Sequence, residues 1–233
     1  FFTAPKFEES ASESKEKPAG FIEVFTTFFK KHQIGVALLF VLTYRLGESQ
    51  LVKMASPFLL DDLEVGGLAY STEAVGTIYG TVGVIMLSLG GILGGILISR
   101  DGLKKWMLPM LLALNLPNAL YAILAVTQTT SIYAVVGTVV LEQFGYGFGF
   151  AAFMMYLIYV AEGASKTSHY AIATGFMALG MMLPGMLSGY IQEWLGYDGF
   201  FIWVVIAALP AFLVLRYLKY PADYGKKTAE SND

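Results

Sequence analysis

Arg45 and Glu48 lie in Thr43-Tyr44-Arg45-Leu46-Gly47-Glu48-Ser49, with apolar sequence on either side. A spacing of three puts both charges on one face of a helix. Ser49 and Ser56 fall near that face. A charge at a bilayer centre costs about 2.5–3.5 kcal/mol on insertion scales and persists only when paired or facing water. Two uses are open: a local ion pair that locks its helix, or a cavity-facing site for a solute or a proton. Lys53, farther along, can snorkel its ammonium to the nearer surface or line the same path. Glu142 lies in Leu141-Glu142-Gln143-Phe144-Gly145-Tyr146 and has no basic residue at helical spacing. Burial disfavours a bare carboxylate, so Glu142 is a candidate proton carrier; the other use is an ion pair with Arg45 across a bundle. Gln143 and Tyr146 can serve as polar contacts to a sugar or peptide, or as ordinary interhelical hydrogen bonds. Asn115 and Asn118 flank Pro117, which breaks its helix and frees carbonyls. The amides and carbonyls there can face a cavity or satisfy one another.

The elements that must hold these groups follow from composition. Hydrophobic residues make up 56% of the 233, charged residues 14%, and mean hydropathy is +0.60. Soluble domains carry about 25% charged residues, so this surface is built for lipid. Six apolar segments, at about 33–59, 72–98, 106–126, 131–160, 169–194 and 197–218, reach the roughly 20 residues that a spanning helix needs. The last two are parted only by a tight turn at Gly196. Helices are required because lipid offers backbone amides no partner. The expected fold is therefore an all-α membrane protein, with a six-helix bundle over 33–218. Residues 1–20 are polar and charged, and read as a disordered linker. Residues 21–32 place Phe21, Val24, Phe25, Phe28 and Phe29 along one side of an amphipathic helix at the membrane surface. Residues 219–233 form a polar tail. The second segment is dense in glycine, with GxxxG spacing at Gly76/Gly80, Gly90/Gly94 and Gly91/Gly95 that suits close helix packing; Gly185/Gly189 repeats it beside Pro184.

Charge sets the orientation. Of the 15 Lys and Arg residues, all but Arg45 and Lys53 fall in the loops and tails of one side. The loops around Asp61–Glu64, Thr127–Thr130 and Glu193–Asp198 carry none. The first side, with both chain ends, is therefore expected in the cytoplasm. Other classes are disfavoured. A net charge of −3 gives no basic field for nucleic acid, and the lack of cysteine removes thiolate chemistry. His32 and His169 lack metal-ligand spacing, so no metal or cofactor is implied. The glycine run Phe144-Gly145-Tyr146-Gly147-Phe148-Gly149 lies inside an apolar helix rather than after a strand, which excludes a dinucleotide loop. No nucleophile–base constellation suggests an enzyme. The chain opens on Phe1 without an initiator Met and is expected to be a fragment lacking its N-terminal portion.

The loop after the second segment is the most specific motif. Gly95-Ile96-Leu97-Ile98-Ser99-Arg100-Asp101-Gly102-Leu103-Lys104-Lys105 resembles the cytoplasmic loop signature of the major facilitator superfamily. Gly95, Arg100, Gly102, Lys104 and Lys105 match; Ser99 stands where the family usually has Asp, and Asp101 is positioned to replace its charge. The stretches Tyr44–Glu48, Ser56–Leu60 and Leu141–Gln143, and the last hairpin through Gly185 and Gly196-Tyr197, resemble AmpG-type muropeptide permeases. The departures are Arg45 and Glu48 where Lys and Asp are expected, and Gln143 where Asn is expected.

That resemblance, over about residues 33–218, implies half of a major facilitator fold: two inverted three-helix repeats, facing a missing N-terminal six-helix half across a central cavity. It implies secondary transport in the bacterial inner membrane, with proton-driven import of anhydromuropeptides or similar cell-wall fragments. The alternatives are another organic anion or acyl-CoA-type solute, or a non-transporting scaffold or receptor. The mid-span charges Arg45, Glu48 and Glu142 favour transport over a scaffold, which has no need of them.

Overall fold

A computed structural model describes residues 20–227. The linker expected over 1–20 lies outside the described residues apart from Gly20, as do residues 228–233 of the tail. Among the described residues every regular element is helical: α1 (Phe21–Phe29), α2 (Ile34–Thr43), α3 (Leu46–Leu60), α4 (Thr72–Thr77), α5 (Val84–Asp101), α6 (Leu103–Asn115), α7 (Asn118–Thr127), α8 (Ile132–Ala161), α9 (Lys166–Ala207) and α10 (Leu209–Leu215). A 3-10 turn covers Leu63–Val65, and a π turn, Ile78–Gly83, joins α4 to α5.

Four helical stretches are long and apolar enough to cross a membrane: Thr72–Asp101, Leu103–Thr127, Ile132–Ala161 and Lys166–Leu215. The last has 50 residues, more than twice the roughly 20 that one crossing needs. It is interrupted at Gly196, whose φ of 69° and ψ of 175° lie where only glycine sits without strain. The arms on either side of Gly196 run in opposite senses along α2 and α3. On the first arm, Gly180 packs on Leu42 and Gly185 on Ser49 and Lys53. On the second, Ala208 and Val204 meet Gly47, Phe201 meets Phe58, and Tyr197 donates to Asp61 Oδ2 at 2.6 Å.

The segment expected as one span at 33–59 is instead two helices, α2 of 10 residues and α3 of 15, parted at Tyr44-Arg45. Arg45 leaves the helical region, with φ −110° and ψ 18°. The third segment breaks at Leu116-Pro117, as the proline requires.

α8 is the central post, with α5 beside it in the same direction and α6 in the opposite one. Gly83 faces Gln143, Gly90 faces Phe144 and Phe148, and Gly94 faces Ala151. On the other flank Gly145 meets Ala113 and Pro117, and Gly149 meets Met110 and Leu114. A Cβ at Gly147 would fall onto the Leu87 carbonyl and one at Gly145 onto the Ala113 carbonyl; the alternating glycines thus serve two neighbours, Gly147 toward α5 and Gly145 and Gly149 toward α6. Of the GxxxG residues in the second segment, Gly90 and Gly94 pack closely on α8, whereas a Cβ at Gly76, Gly80 or Gly95 would meet no atom within 4 Å among the described residues.

Buried apolar residues form two clusters. One holds Phe40, Tyr44, Leu114, Phe148 and Phe153; the other holds Leu51, Phe58, Tyr121, Val139 and Phe201. Along α2–α3, α6–α7 and α8 alike, the chain passes from one cluster to the other through buried polar residues: Arg45 to Gln50, Asn115 and Asn118, and Glu142. A polar layer therefore crosses the middle of the bundle.

The loops gather at its two ends. At one end Lys31 Nζ donates to the Val160 and Glu162 carbonyls at 2.6 and 2.7 Å, satisfying acceptors at the end of α8. α1 lies beside it, with Phe28 buried against His169 and Thr27 Oγ1 3.2 Å from His169 Nε2. There too the amide of Leu103 donates to Tyr224 O at 2.8 Å and that of Lys227 to Ser99 O at 2.7 Å. At the other end Gln128 Nε2 donates to Gly66 O and Tyr70 OH to Thr130 O.

Candidate functional site

The polar layer is held by helix interruptions. At the break between α2 and α3, Arg45 turns its guanidinium back on Glu48, one turn into α3. Nε donates to Glu48 Oε2 at 2.7 Å and Nη2 to Oε1 at 3.1 Å. The carboxylate also sits in the first turn of α3, where the helix dipole favours negative charge. Arg45 Nη2 reaches across to the Tyr146 hydroxyl of α8 at 2.9 Å, and Nη1 to the Met181 sulfur of α9 at 2.8 Å. The guanidinium carbon lies 4.9 Å from the Tyr146 ring centroid and 5.2 Å from that of Phe150. Arg45 and Glu48 are 4% and 1% exposed. A buried pair of this kind ties α2, α3, α8 and α9 into one geometry.

Glu142 lies one turn from Tyr146, on the same face of α8, yet its partners are different. Gln143 Nε2 donates to both carboxyl oxygens, at 3.0 and 2.9 Å, and Tyr121 OH to Oε2 at 3.5 Å. The Tyr121 hydroxyl pairs in turn with that of Tyr79 at 2.5 Å. Tyr79 is carried on the π turn, whose Gly83 leaves room for the Gln143 side chain. The cross-bundle ion pair that would have joined Arg45 to Glu142 is not made: Arg45 takes Glu48 and reaches α8 through Tyr146.

Asn115 and Asn118 do not satisfy each other. Asn115 Nδ2 donates to Leu111 O at 2.9 Å, while Asn115 Oδ1 and both polar atoms of the fully buried Asn118 have no hydrogen-bond partner among the described residues. Lys53 stands apart from the other charges. It is exposed and lines an open groove of about 430 Å³ with Ser49, Val52, Met181, Gly185 and Met186.

The loop motif forms its own cluster. Asp101 accepts from Arg100 Nη2 at 2.9 Å, Lys105 Nζ at 3.1 Å and Trp106 Nε1 at 2.9 Å. Gly102 takes φ 89° and packs on the Ala222 carbonyl of the tail. Gly95 and Lys104 are exposed. Among the described residues no group of three His, Cys, Asp or Glu is placed to hold a metal ion.

The structure brings Arg45 and Glu48, paired by their spacing in the sequence, together with Tyr146, which the sequence had set beside Gln143; Tyr79, Tyr121 and Met181 were missed. Nothing in an apolar segment marks one tyrosine or methionine as facing a charge. The only available sign was the helical spacing of Tyr121 from Asn118.

An apolar helical bundle with a charged layer at its centre defines a polytopic membrane protein with a polar site at mid-depth. The chain belongs to the Major Facilitator Superfamily, whose family model matches residues 38–232. It is similar to the anhydromuropeptide permease of Escherichia coli K12, with 25% identity over 197 residues, 84% of this chain and 39% of that protein. It is similar also to proteins named as transporters AmpG 4 of Rickettsia conorii, 28% identical over 84% of this chain and 46% of the relative, and AmpG 2 of Rickettsia prowazekii, 27% identical over 85% and 47%. The chain spans less than half the length of each of these relatives.

Proposed function

We propose that this chain is the C-terminal six-helix half of a proton-coupled transporter that imports anhydromuropeptides or similar cell-wall fragments across a bacterial inner membrane. The observation that carries the reading is the mid-bundle separation of two kinds of charge. Arg45 and Glu48 neutralise each other at the α2–α3 break, while Glu142, one turn from Tyr146 on α8, has an amide and a phenol for partners instead of a cation. A carboxyl so placed can take a proton on one side and release it on the other. The similarity to permeases supports the solute class.

In this reading α2–α3, α4–α5 and α6–α7 are three crossings, and α8 with the two arms of α9–α10 makes three more. The two triplets form inverted repeats, and a second six-helix half faces them. The loop holding Arg100, Lys104 and Lys105 and the tail after Lys219 are cytoplasmic. Solute passes along a path that includes Arg45, Glu48, Lys53, Asn118, Glu142, Gln143 and Tyr146.

Uptake by the full-length protein tests it. Glu142→Gln is expected to abolish uncoupler-sensitive accumulation of labelled anhydromuropeptide while leaving exchange down a gradient. Normal uncoupler-sensitive accumulation by that variant would remove Glu142 as the proton carrier.

A further inference from the structure

We infer that Lys53 is the residue that recognises a carboxylate of the transported solute, and that Arg45 is not. This rests on the transport reading above and deepens it. The two mid-segment cations are in opposite states. Four of the five N–H donors of the Arg45 guanidinium are engaged, two on Glu48, one on Tyr146 and one on Met181, and two aromatic rings lie against its carbon. An incoming anion would have to displace Glu48 from a buried pair. Lys53, by contrast, makes no ion pair or hydrogen bond among the described residues, and it borders an open groove of a size suited to a small ligand.

The groove has a defined chemistry. Lys53 supplies one positive charge, and Met181, Met182, Met186 and Val52 supply flexible apolar wall. One ammonium matches one singly charged group; nothing else lining the groove would balance a dianion. The ligand feature is therefore a carboxylate attached to an apolar or aliphatic portion. Gly185 borders the lysine stem. A Cβ there would stand 3.4 Å from both Cγ and Cε of Lys53, in van der Waals contact, so a side chain that branches beyond it presses on the stem. Met181 links the two cations, since it lines the groove and also accepts from Arg45. Filling the groove thus bears on the buried pair through one side chain. Lys53 sits roughly 10 Å inside the end of α3 at about 1.5 Å per residue, where an unpaired charge is costly. A bound carboxylate relieves that cost, which favours closure around the loaded site over the empty one.

The test uses the full-length protein in liposomes, with an anhydromuropeptide as the free acid and as its carboxyl methyl ester. The wild type is expected to prefer the acid by roughly tenfold or more, as one desolvated charge pair provides. Lys53→Met is expected to lose the preference and take acid and ester at equal rates; Lys53→Arg is expected to keep it. Gly185→Val is expected to slow both forms by crowding the groove. An undiminished acid preference in a Lys53→Met protein that elutes as a single species would overturn the assignment while leaving the transport reading intact. A wild type that moves neither form would overturn both.

Discussion

Arg45 and Glu48 are worth more to the geometry of the bundle than to its stability. Desolvating two charges offsets most of what their attraction returns, whereas removing one partner strands the other in a dry interior, at a cost of about 3–5 kcal/mol. Glu48→Ala is therefore expected to lower stability by that amount, and the double change Arg45→Met with Glu48→Leu by much less. Thermal unfolding of the detergent-purified variants measures both; equal losses would show that the pair itself is a large stabilising contribution. The two charges were legible from the sequence because a charged residue in an apolar run is conspicuous and a spacing of three fixes their mutual reach. Tyr146 as the third member was not separable from its neighbours, since the face that α8 turns toward α2 depends on packing rather than on spacing. Asn115 and Asn118 show the same limit. Their place beside Pro117 marked a break, but only the structure shows that neither amide satisfies the other.

Helix continuity was the part of the fold that hydropathy read least well. Windows of apolar residues locate where chain and lipid coexist, and they do not register one residue, Arg45, leaving helical geometry. The first expected span thus proved to be α2 and α3, and the second carries a π turn of the kind often found at functional sites. The glycines divide by what they touch. Gly147 lies against the Leu87 carbonyl, while a Cβ at Gly76 or Gly95 would meet nothing within 4 Å among the described residues. Gly147→Ala is expected to force α5 and α8 apart and cost about 1–3 kcal/mol, in the range of core overpacking. Gly76→Ala and Gly95→Ala are expected to be neutral or slightly stabilising in this chain, because alanine is the better helix former by about 1 kcal/mol. The fraction of protein that stays monodisperse after a heating step reports the difference. Comparable losses at all three positions would contradict the division into packed and open glycines.

At the scale of the molecule, charge asymmetry and loop clustering coincide. The basic residues of the described loops and tail gather at the end that holds Lys31, Arg100, Lys166 and Lys219, and the end that holds Asp61, Gln128 and Tyr197 has acidic residues without basic ones. The positive-inside rule then predicts the sidedness. Single cysteines at Asp62 and Lys104, in a chain with no native cysteine, are expected to react differently with a membrane-impermeant thiol reagent. Intact cells should label the Asp62 site and spare the Lys104 site until the membrane is opened. The reverse pattern would invert the topology.

The backbone pairing between the tail and the α5–α6 loop bears on how the chain is built. The carbonyl of Ser99 and the amide of Leu103 find their partners in Lys227 and Tyr224, which leave the ribosome after helices α1 to α10 have been made. Synthesis runs from the N-terminus, and domains generally fold as units in that order. The loop that carries Arg100, Lys104 and Lys105 therefore lacks two of its backbone partners while the helices are being inserted, and gains them only when Tyr224 and Lys227 arrive. A nascent chain halted before Pro221 would hold its helices with this loop still open to proteases. The sensitivity of that one loop to cleavage would then act as a clock, reporting whether synthesis has passed Lys227.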